Sequence, residues 1–404
     1  MISRLYVDLI EQHFRQNRQM LFLMGPRQVG KTTVCRAVSE NFDELFYLNW
    51  DNTAHRAIVL GGPDAVAEHL ELSRLREEPP VVVFDEIHKW GKWKDFLKGF
   101  FDTYEGNVRI AVTGSARLDV YRSGGDSLMG RYFGYRMHPL TPAELLRPRV
   151  PGDAPVEPPM ALDDDQWEGL WRFGGFPEPF DRRDERFYNR WRRLRSQLLF
   201  EEDLRELTRI RELSQVEVLA ELLVERVGAH VTYSSFARDL GASVNTIKNW
   251  LETLERLYFC FSIRPWHKNV TRSLRKQPKY YLWDWSLVDD PGMRVENMVA
   301  SSLLKAAHLW TDLGIGEFSL HFLRDKQQNE VDFVLVRDGE PWVLIEVKSS
   351  ASRSLSSSLF RFRDQLDPVH VFQVAMDADY VDRNCFELDE PTIVPARTLL
   401  SQLV

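Results

Sequence analysis

Apolar residues recur at helical spacing from the start of the chain, with Leu5, Leu9, Ile10 and Phe14 lining one face of a predicted helix. A wholly apolar run, Met20 to Met24, then reads as a buried strand, and a helical pattern runs from Lys31 to Phe42. Val81 to Phe84 and Val108 to Thr113 are further apolar runs, predicted as strands covered on both faces. Buried strands that alternate with helices predict a mostly parallel α/β sheet.

The pattern changes after this. Pro148 to Pro159 is rich in proline and acid and reads as a surface loop. Asp163 to Gln215 is helical and rich in arginine, including a basic run from Arg182 to Arg195 that reads as a bundle helix with a wet face rather than as a nucleic-acid site. Ser214 to Phe261 reads as a compact helical module ending in a strand. From Val295 a helix precedes strands near Ser319–Leu323, Glu330–Arg337 and Pro341–Val347, then a further helix and strand.

Two sequence features give the first α/β block a chemistry. Gly25-Pro26-Arg27-Gln28-Val29-Gly30-Lys31-Thr32-Thr33 follows a predicted strand and opens a predicted helix, the context a phosphate loop requires. Its glycines let backbone N–H groups turn toward phosphate, Lys31 reaches the β- and γ-phosphates, and Thr32 offers a hydroxyl to Mg²⁺. Val81 to Phe84 ends in Asp85-Glu86. Asp85 would hold the metal through water, and Glu86 would polarise the attacking water as general base. ATP and Mg²⁺ are therefore the expected ligands, with hydrolysis favoured over a small-molecule kinase reaction. Arg117 and Arg131 are candidates for charge stabilisation, in cis or from a neighbouring copy, and the latter role requires a homo-oligomer.

The helical module contains a predicted helix–turn–helix, which the following strand would make winged. Ser234 and Ser243 are the expected caps, Gly241 the left-handed turn, and Val244, Ile247, Leu251 and Leu254 the core face. Asn245, Thr246, Lys248 and Asn249 stand where such a helix reads bases, although these modules also serve as protein contacts. A basic stretch, Arg264 to Lys279, could neutralise phosphates or be a solvated hairpin.

In the C-terminal block, Asp332 lies in one strand, and a turn at Asp338-Gly339 leads to a strand carrying Glu346 and Lys348 on one face. Acids inside apolar strands are costly to bury unless paired or bound to metal. Asp332 and Glu346 could hold a divalent ion, Lys348 could orient water, and Glu296 on the preceding helix could complete the set.

The net charge of −8 gives no support for nucleic-acid binding beyond a local surface. The first ten residues carry charges, no long apolar run predicts a membrane span, and Cys35, Cys260 and Cys385 show no metal spacing. The expectation is a reduced, cytoplasmic protein.

The stretches GPRQVGKTT, VFDEIHKW, TGSARL, GRYFGYRMHPLTPAEL, FGGFPEP, VENMVASSLL, EVDFVL and IEVKSS resemble a large prokaryotic family of AAA-type P-loop ATPases. Members carry a C-terminal uncharacterised domain of the PD-(D/E)xK nuclease superfamily. The resemblance implies an α/β ATPase core over 1–160, a helical lid over 161–213, a winged helix-turn-helix and basic connector over 214–280, and a nuclease-like α/β domain over 281–404. It assigns ATPase roles to Lys31, Thr32, Asp85 and Glu86, and nuclease-type positions to Glu296, Asp332, Glu346 and Lys348. Three functions stay open: ATP hydrolysis coupled to DNA binding or processing, an ATP-dependent binding switch on an inactive nuclease fold, and a metal-dependent nuclease gated by ATP.

Overall fold

A computed structural model describes residues 2–114, 128–204, 212–267 and 277–404. The chain divides into two compact units, one of residues 1–138 and 148–150, the other of residues 139–147 and 151–404.

In the first unit, α1 (Leu5–Gln16) buries Leu5, Tyr6, Leu9, Ile10, His13 and Phe14, the face its spacing predicts. Five strands follow in chain order: β1 (Met20–Met24), β2 (Leu45–Asn49), β3 (Val81–Asp85), β4 (Arg109–Gly114) and β5 (Tyr132–Arg136). They form a parallel sheet in the order β2-β3-β4-β1-β5. β1 and β3 are buried at every position, as their apolar runs require, and the burial extends to Asp85 at the end of β3. Helix α2 spans Lys31–Ala37 and gives way to a 3₁₀ turn at Val38–Glu40, short of the predicted Phe42. Ser39 Oγ donates to the Arg36 carbonyl at 2.7 Å, a local bond that competes with helix continuation. Phe84, Phe96, Phe100 and Trp93 centre the core on one side of the sheet.

The second unit begins with helix-rich chain, including α3 (Asp164–Phe173), α4 (Pro177–Arg182) and α5 (Glu185–Gln197). A helix–turn–helix follows, α6 (Tyr233–Leu240) and α7 (Val244–Arg256), with Gly241 at φ 63° between them. Thr232 caps the first helix, accepting from Ser235 N at 3.1 Å, and Ser243 caps the second. The expected Ser234 cap is displaced by two residues, and Ser234 Oγ instead donates to the Thr232 hydroxyl.

The hairpin β6 (Cys260–Pro265) and β7 (Lys279–Leu282) crosses the domain boundary expected at 280 and joins a larger sheet. That sheet also holds β8 (Phe318–Arg324), β9 (Glu330–Arg337), β10 (Glu340–Lys348), β11 (His370–Ala375) and β12 (Thr392–Pro395). The order is β12-β11-β10-β9-β8-β6-β7. Helix α8 (Pro291–Asp312) packs over β7, β8 and β10, with Trp310 edge-on to Trp342 at 5.7 Å. Helix α9 (Ser357–Leu366) buries Leu359 and Phe362 against Val334, Val336 and Leu344.

Residues 139–147, expected within the ATPase core, are anchored inside the second unit. Leu140 N donates to Gly175 O at 2.7 Å, and Thr141 Oγ1 donates to Val404 O at 2.8 Å. Glu144 and Lys305 form an ion pair in which both side chains are 0% exposed. Among the described residues, no helix is long and apolar enough to cross a membrane, and the three cysteines are buried and free.

Candidate functional site

In the first unit, the chain leaves β1 at Met24 and turns through the glycine-rich loop into α2. Two glycines are there by necessity. A Cβ on Gly25 would stand 2.3 Å from the Met137 carbonyl oxygen, and Gly30 caps α2 at φ 104°, a conformation other residues avoid. Gln28 is also left-handed, at φ 62°. Lys31 is 8% exposed, and its Nζ arches back over the loop to donate to Gly25 O and Pro26 O, each at 2.7 Å. Val29 is buried, while Thr33 is exposed on α2.

Sheet register carries Asp85 to this loop. β4 lies between β3 and β1, pairing Asp85 with Thr113 and Thr113 with Leu23. Three hydroxyls donate to the Asp85 carboxylate: Thr113 to Oδ1, Tyr47 to Oδ2, and Thr32 to Oδ2 at 3.3 Å. Tyr47 was not singled out from sequence; its one signal is a hydroxyl-bearing ring in the middle of a short strand beside β3. Burial, then its bond to Asp85, raises the Tyr47 hydroxyl above its ordinary pKa.

Glu86 follows at φ 57°, a left-handed backbone rare for a residue with a Cβ and typical of strained functional positions. Burial raises its pKa, with the Asp85 charge adding and the Lys31 charge opposing. Its Oε2 is buried and accepts no hydrogen bond among the described residues.

The two arginine candidates fare differently. Arg117 lies outside the described residues. Arg131 precedes β5 at the end of the sheet opposite the loop, where its carbonyl accepts from Met20 N. Its guanidinium grips Asp102 with Nε at 2.6 Å and Nη2 at 2.9 Å. A five-residue strand, about 16 Å long, separates that edge from the loop, so Arg131 does not serve the loop of its own chain.

In the second unit, the register of β9 and β10 pairs Phe333 with Ile345 and so continues toward Asp332 and Glu346. Asp332 Oδ2 accepts from Val347 N at 2.8 Å, and Lys348 Nζ donates to Glu346 Oε1 at 2.6 Å. Glu346 Oε2 is buried without a hydrogen-bond partner among the described residues. Burial, then the charge of Asp332, pushes the Glu346 carboxyl up to about 7, and burial raises Asp332 as well.

Glu296, expected to complete a metal set, has protein partners: the Tyr281 hydroxyl donates to it at 2.6 Å, and Lys279 Nζ lies 3.7 Å away. Burial, then the Asp332 charge, raises it to about 7. Among the described residues, no three His, Cys, Asp or Glu side chains are gathered as metal ligands. Lys279, Glu330 and His230 complete the cluster and were not anticipated. Lys279 Nζ pairs with Glu330 at 2.6 Å, and the ring of His230 meets the other Glu330 oxygen at 2.5 Å. The alternation that carries Asp332 inward carries Glu330 too, which was the available signal.

Asn245, Lys248 and Asn249 are exposed on α7, and Thr246 is half-buried beside them. The centre of the basic connector, 268–276, lies outside the described residues.

Comparisons with known proteins cover this chain in three parts. Residues 17–146 match an AAA domain, residues 164–290 a domain of unknown function (DUF8612), and residues 291–385 another (DUF4143). Mycobacterium tuberculosis Rv2008c, an uncharacterized protein, is 23% identical over 390 residues, spanning 95% of this chain and 81% of its own length. Methanocaldococcus jannaschii MJ1544, also uncharacterized, is 24% identical over 345 residues, 80% of this chain and 73% of its own length. Two solved structures are similar in part: Aeropyrum pernix Orc1 in complex with DNA, at 15% identity, TM-score 0.31, 73% of this chain and 90% of that one, and AMPPCP-bound DnaA from Aquifex aeolicus, at 12% identity, TM-score 0.33, 62% and 87%. With its glycine loop and its hydroxyl-ringed Asp85, the N-terminal part of this chain is similar to an AAA domain over residues 17–146.

Proposed function

We propose that the chain hydrolyses ATP at the glycine loop, and that the nucleotide cycle is coupled to DNA binding or processing through a nuclease-like site in the second unit. The observation that carries the ATPase reading is the convergence of Thr32 and Asp85 beside a Glu86 whose Oε2 has no hydrogen-bond partner.

The residues fit Mg²⁺ sparingly, as that ion prefers: one carboxylate and one hydroxyl with water making up the rest. Thr32 and Asp85 would hold it, and when bound it spreads the charge developing on the phosphates. Lys31 leaves the carbonyls of Gly25 and Pro26 for phosphate oxygens, a movement its flexible stem allows. Glu86 takes a proton from water, and its raised pKa brings its basicity closer to neutral pH.

In the second unit, Asp332 and Glu346 would hold a divalent ion, which when bound lowers the pKa of its water. The fit rests on Glu346 Oε2, which has no hydrogen-bond partner among the described residues, and on the neighbouring Asp332, whose charge adds to the cost of charging the buried Glu346. Lys348, which donates to Glu346, would orient water or steady a developing phosphate charge. Cleavage of plasmid DNA with Mg²⁺ or Mn²⁺, with and without ATP, tests this. Activity should vanish in Asp332→Ala and Lys348→Ala, and Lys31→Ala should remove any ATP dependence. Cleavage that survives Asp332→Ala would sink the assignment.

A second reading, an ATP-dependent binding switch on a non-cleaving nuclease-like fold, is favoured by the absence of a three-ligand metal group among the described residues. It predicts ATP-dependent retention of DNA with no nicking under any metal.

A further inference from the structure

Helix α5 buries Tyr188 and Trp191 on one side. Its other side exposes Arg186, Arg190 and Arg193, spaced by four and three residues, and Arg182 stands exposed four residues earlier at the end of α4. Helical rise makes the Arg186–Arg193 part of this stripe about 10 Å long. Four of the acids near it are engaged elsewhere. Asp184 caps Phe187 N at 2.7 Å, Glu185 pairs with Arg172, Asp165 with Arg183, and Asp284 with Arg195. Among the described residues, none of the four stripe arginines forms an ion pair with a carboxylate.

This is not the surface that composition would produce. Acids outnumber lysine and arginine by 60 to 52, so intervening glutamates would be the ordinary way to quiet such a helix. Instead, like charges repeat at i, i+4, which destabilises a helix. Arg186 also sits in the first turn, where the helix dipole disfavours a cation. Every cation on the helix is arginine, whose planar fork matches phosphate in a way lysine does not. Beside the stripe opens a cavity of about 230 Å³, whose lining includes Arg172, Arg192 and Arg294 against Glu185 and Asp289, with Tyr188 on its wall.

We infer that this arginine face binds the phosphodiester backbone of nucleic acid, with the stripe tracking successive phosphates and the adjoining cavity receiving one. An acidic protein is the competing partner, but it has less use for a lysine-free row of forks. The surface shares no residue with Asp332, Glu346 and Lys348, and rests on the proposed function only in the choice of nucleic acid as probe.

The test is fluorescence anisotropy of a labelled mixed-sequence DNA, duplex and single-stranded, with full-length protein between about 50 and 200 mM salt. The triple variant R186Q/R190Q/R193Q should weaken binding roughly tenfold or more, and should reduce the slope of log K against log salt by up to about 2.7 on duplex, near 0.9 for each lost phosphate contact. Removing like charges should leave its melting temperature unchanged or higher. Should it melt lower, Arg190→Gln alone decides, through a slope change of about 0.9. Wild-type affinity and slope in the variant would overturn the inference, as would wild-type protein that binds neither DNA. Displacement of the probe by polyglutamate as readily as by unlabelled DNA would assign the face to an acidic protein and overturn it too. Salt-dependent binding lost in the triple variant, without any DNA cleavage by wild type, upholds the surface and removes only the nuclease reading.

Discussion

Replacing Lys305 with methionine probes the least solvated charge pair in the second unit. Lys305 Nζ donates to Glu144 Oε2, to Thr141 Oγ1 at 3.1 Å and to Pro139 O at 3.3 Å, and both members of the ion pair are 0% exposed. The methionine fills the stem's volume but takes from the buried Glu144 carboxylate the ammonium it is paired with, a loss of about 3–5 kcal/mol. For a unit of this size each kcal/mol moves the melting temperature by about 2–4 °C, so the calorimetric transition should fall by roughly 6–20 °C. The double variant K305M/E144L removes both charges and should recover most of that loss, because apolar replacement of a buried pair is often neutral or stabilising. A fall below about 1 kcal/mol in the single variant, or a double variant no better than the single, would refute the reasoning. Either result would mean that water or another partner reaches Glu144.

Further outcomes follow from the two sites. Gly25→Ala should abolish nucleotide binding, measured with a fluorescent ATP analogue, since its Cβ would meet the Met137 carbonyl at 2.3 Å. Glu346→Gln should stabilise the protein at pH 8 by about 1–3 kcal/mol, because a carboxyl raised to about 7 is charged there at a cost absent from the unfolded chain. The gain should shrink as pH falls through 7 and vanish near the ordinary value, so a pH-independent gain in denaturant melts would contradict it. Glu330 runs the other way. Burial raises its pKa, but the His230 hydrogen bond and the Lys279 charge outweigh that and hold it at about 2. Its contribution, up to about 3 kcal/mol, is present above the ordinary carboxylate pKa and lost as pH falls toward 2. Glu330→Gln should lose that acid-side slope, and a variant that keeps it would show that other groups carry it.

What the sequence disclosed was local. The glycine loop, the Asp85-Glu86 strand end and the strands around Asp332 and Glu346 each announce themselves within ten or so residues, by period and residue type. Pairings across the chain did not. Tyr47 reaches Asp85 only because β2 lies beside β3. Glu144 meets Lys305 across 161 residues, and no pattern in either helix marks a buried charge. The β6–β7 hairpin reads as the end of a helical module because its parallel pairing with β8, Arg264 to His321, is invisible from either strand alone. Arg131 was a reasonable arginine to suspect at its own loop until the parallel sheet set its direction, placing it at the far end of β5 and leaving only the role in a neighbouring copy.

ATP turnover by wild type and Glu86→Gln, measured beside nucleotide binding, tests the central claim most directly. The account predicts that wild type hydrolyses ATP, and that Glu86→Gln binds it with similar affinity but turns it over roughly 10²–10⁴-fold more slowly. Wild-type turnover in Glu86→Gln, or no turnover by wild type that binds ATP, would contradict it.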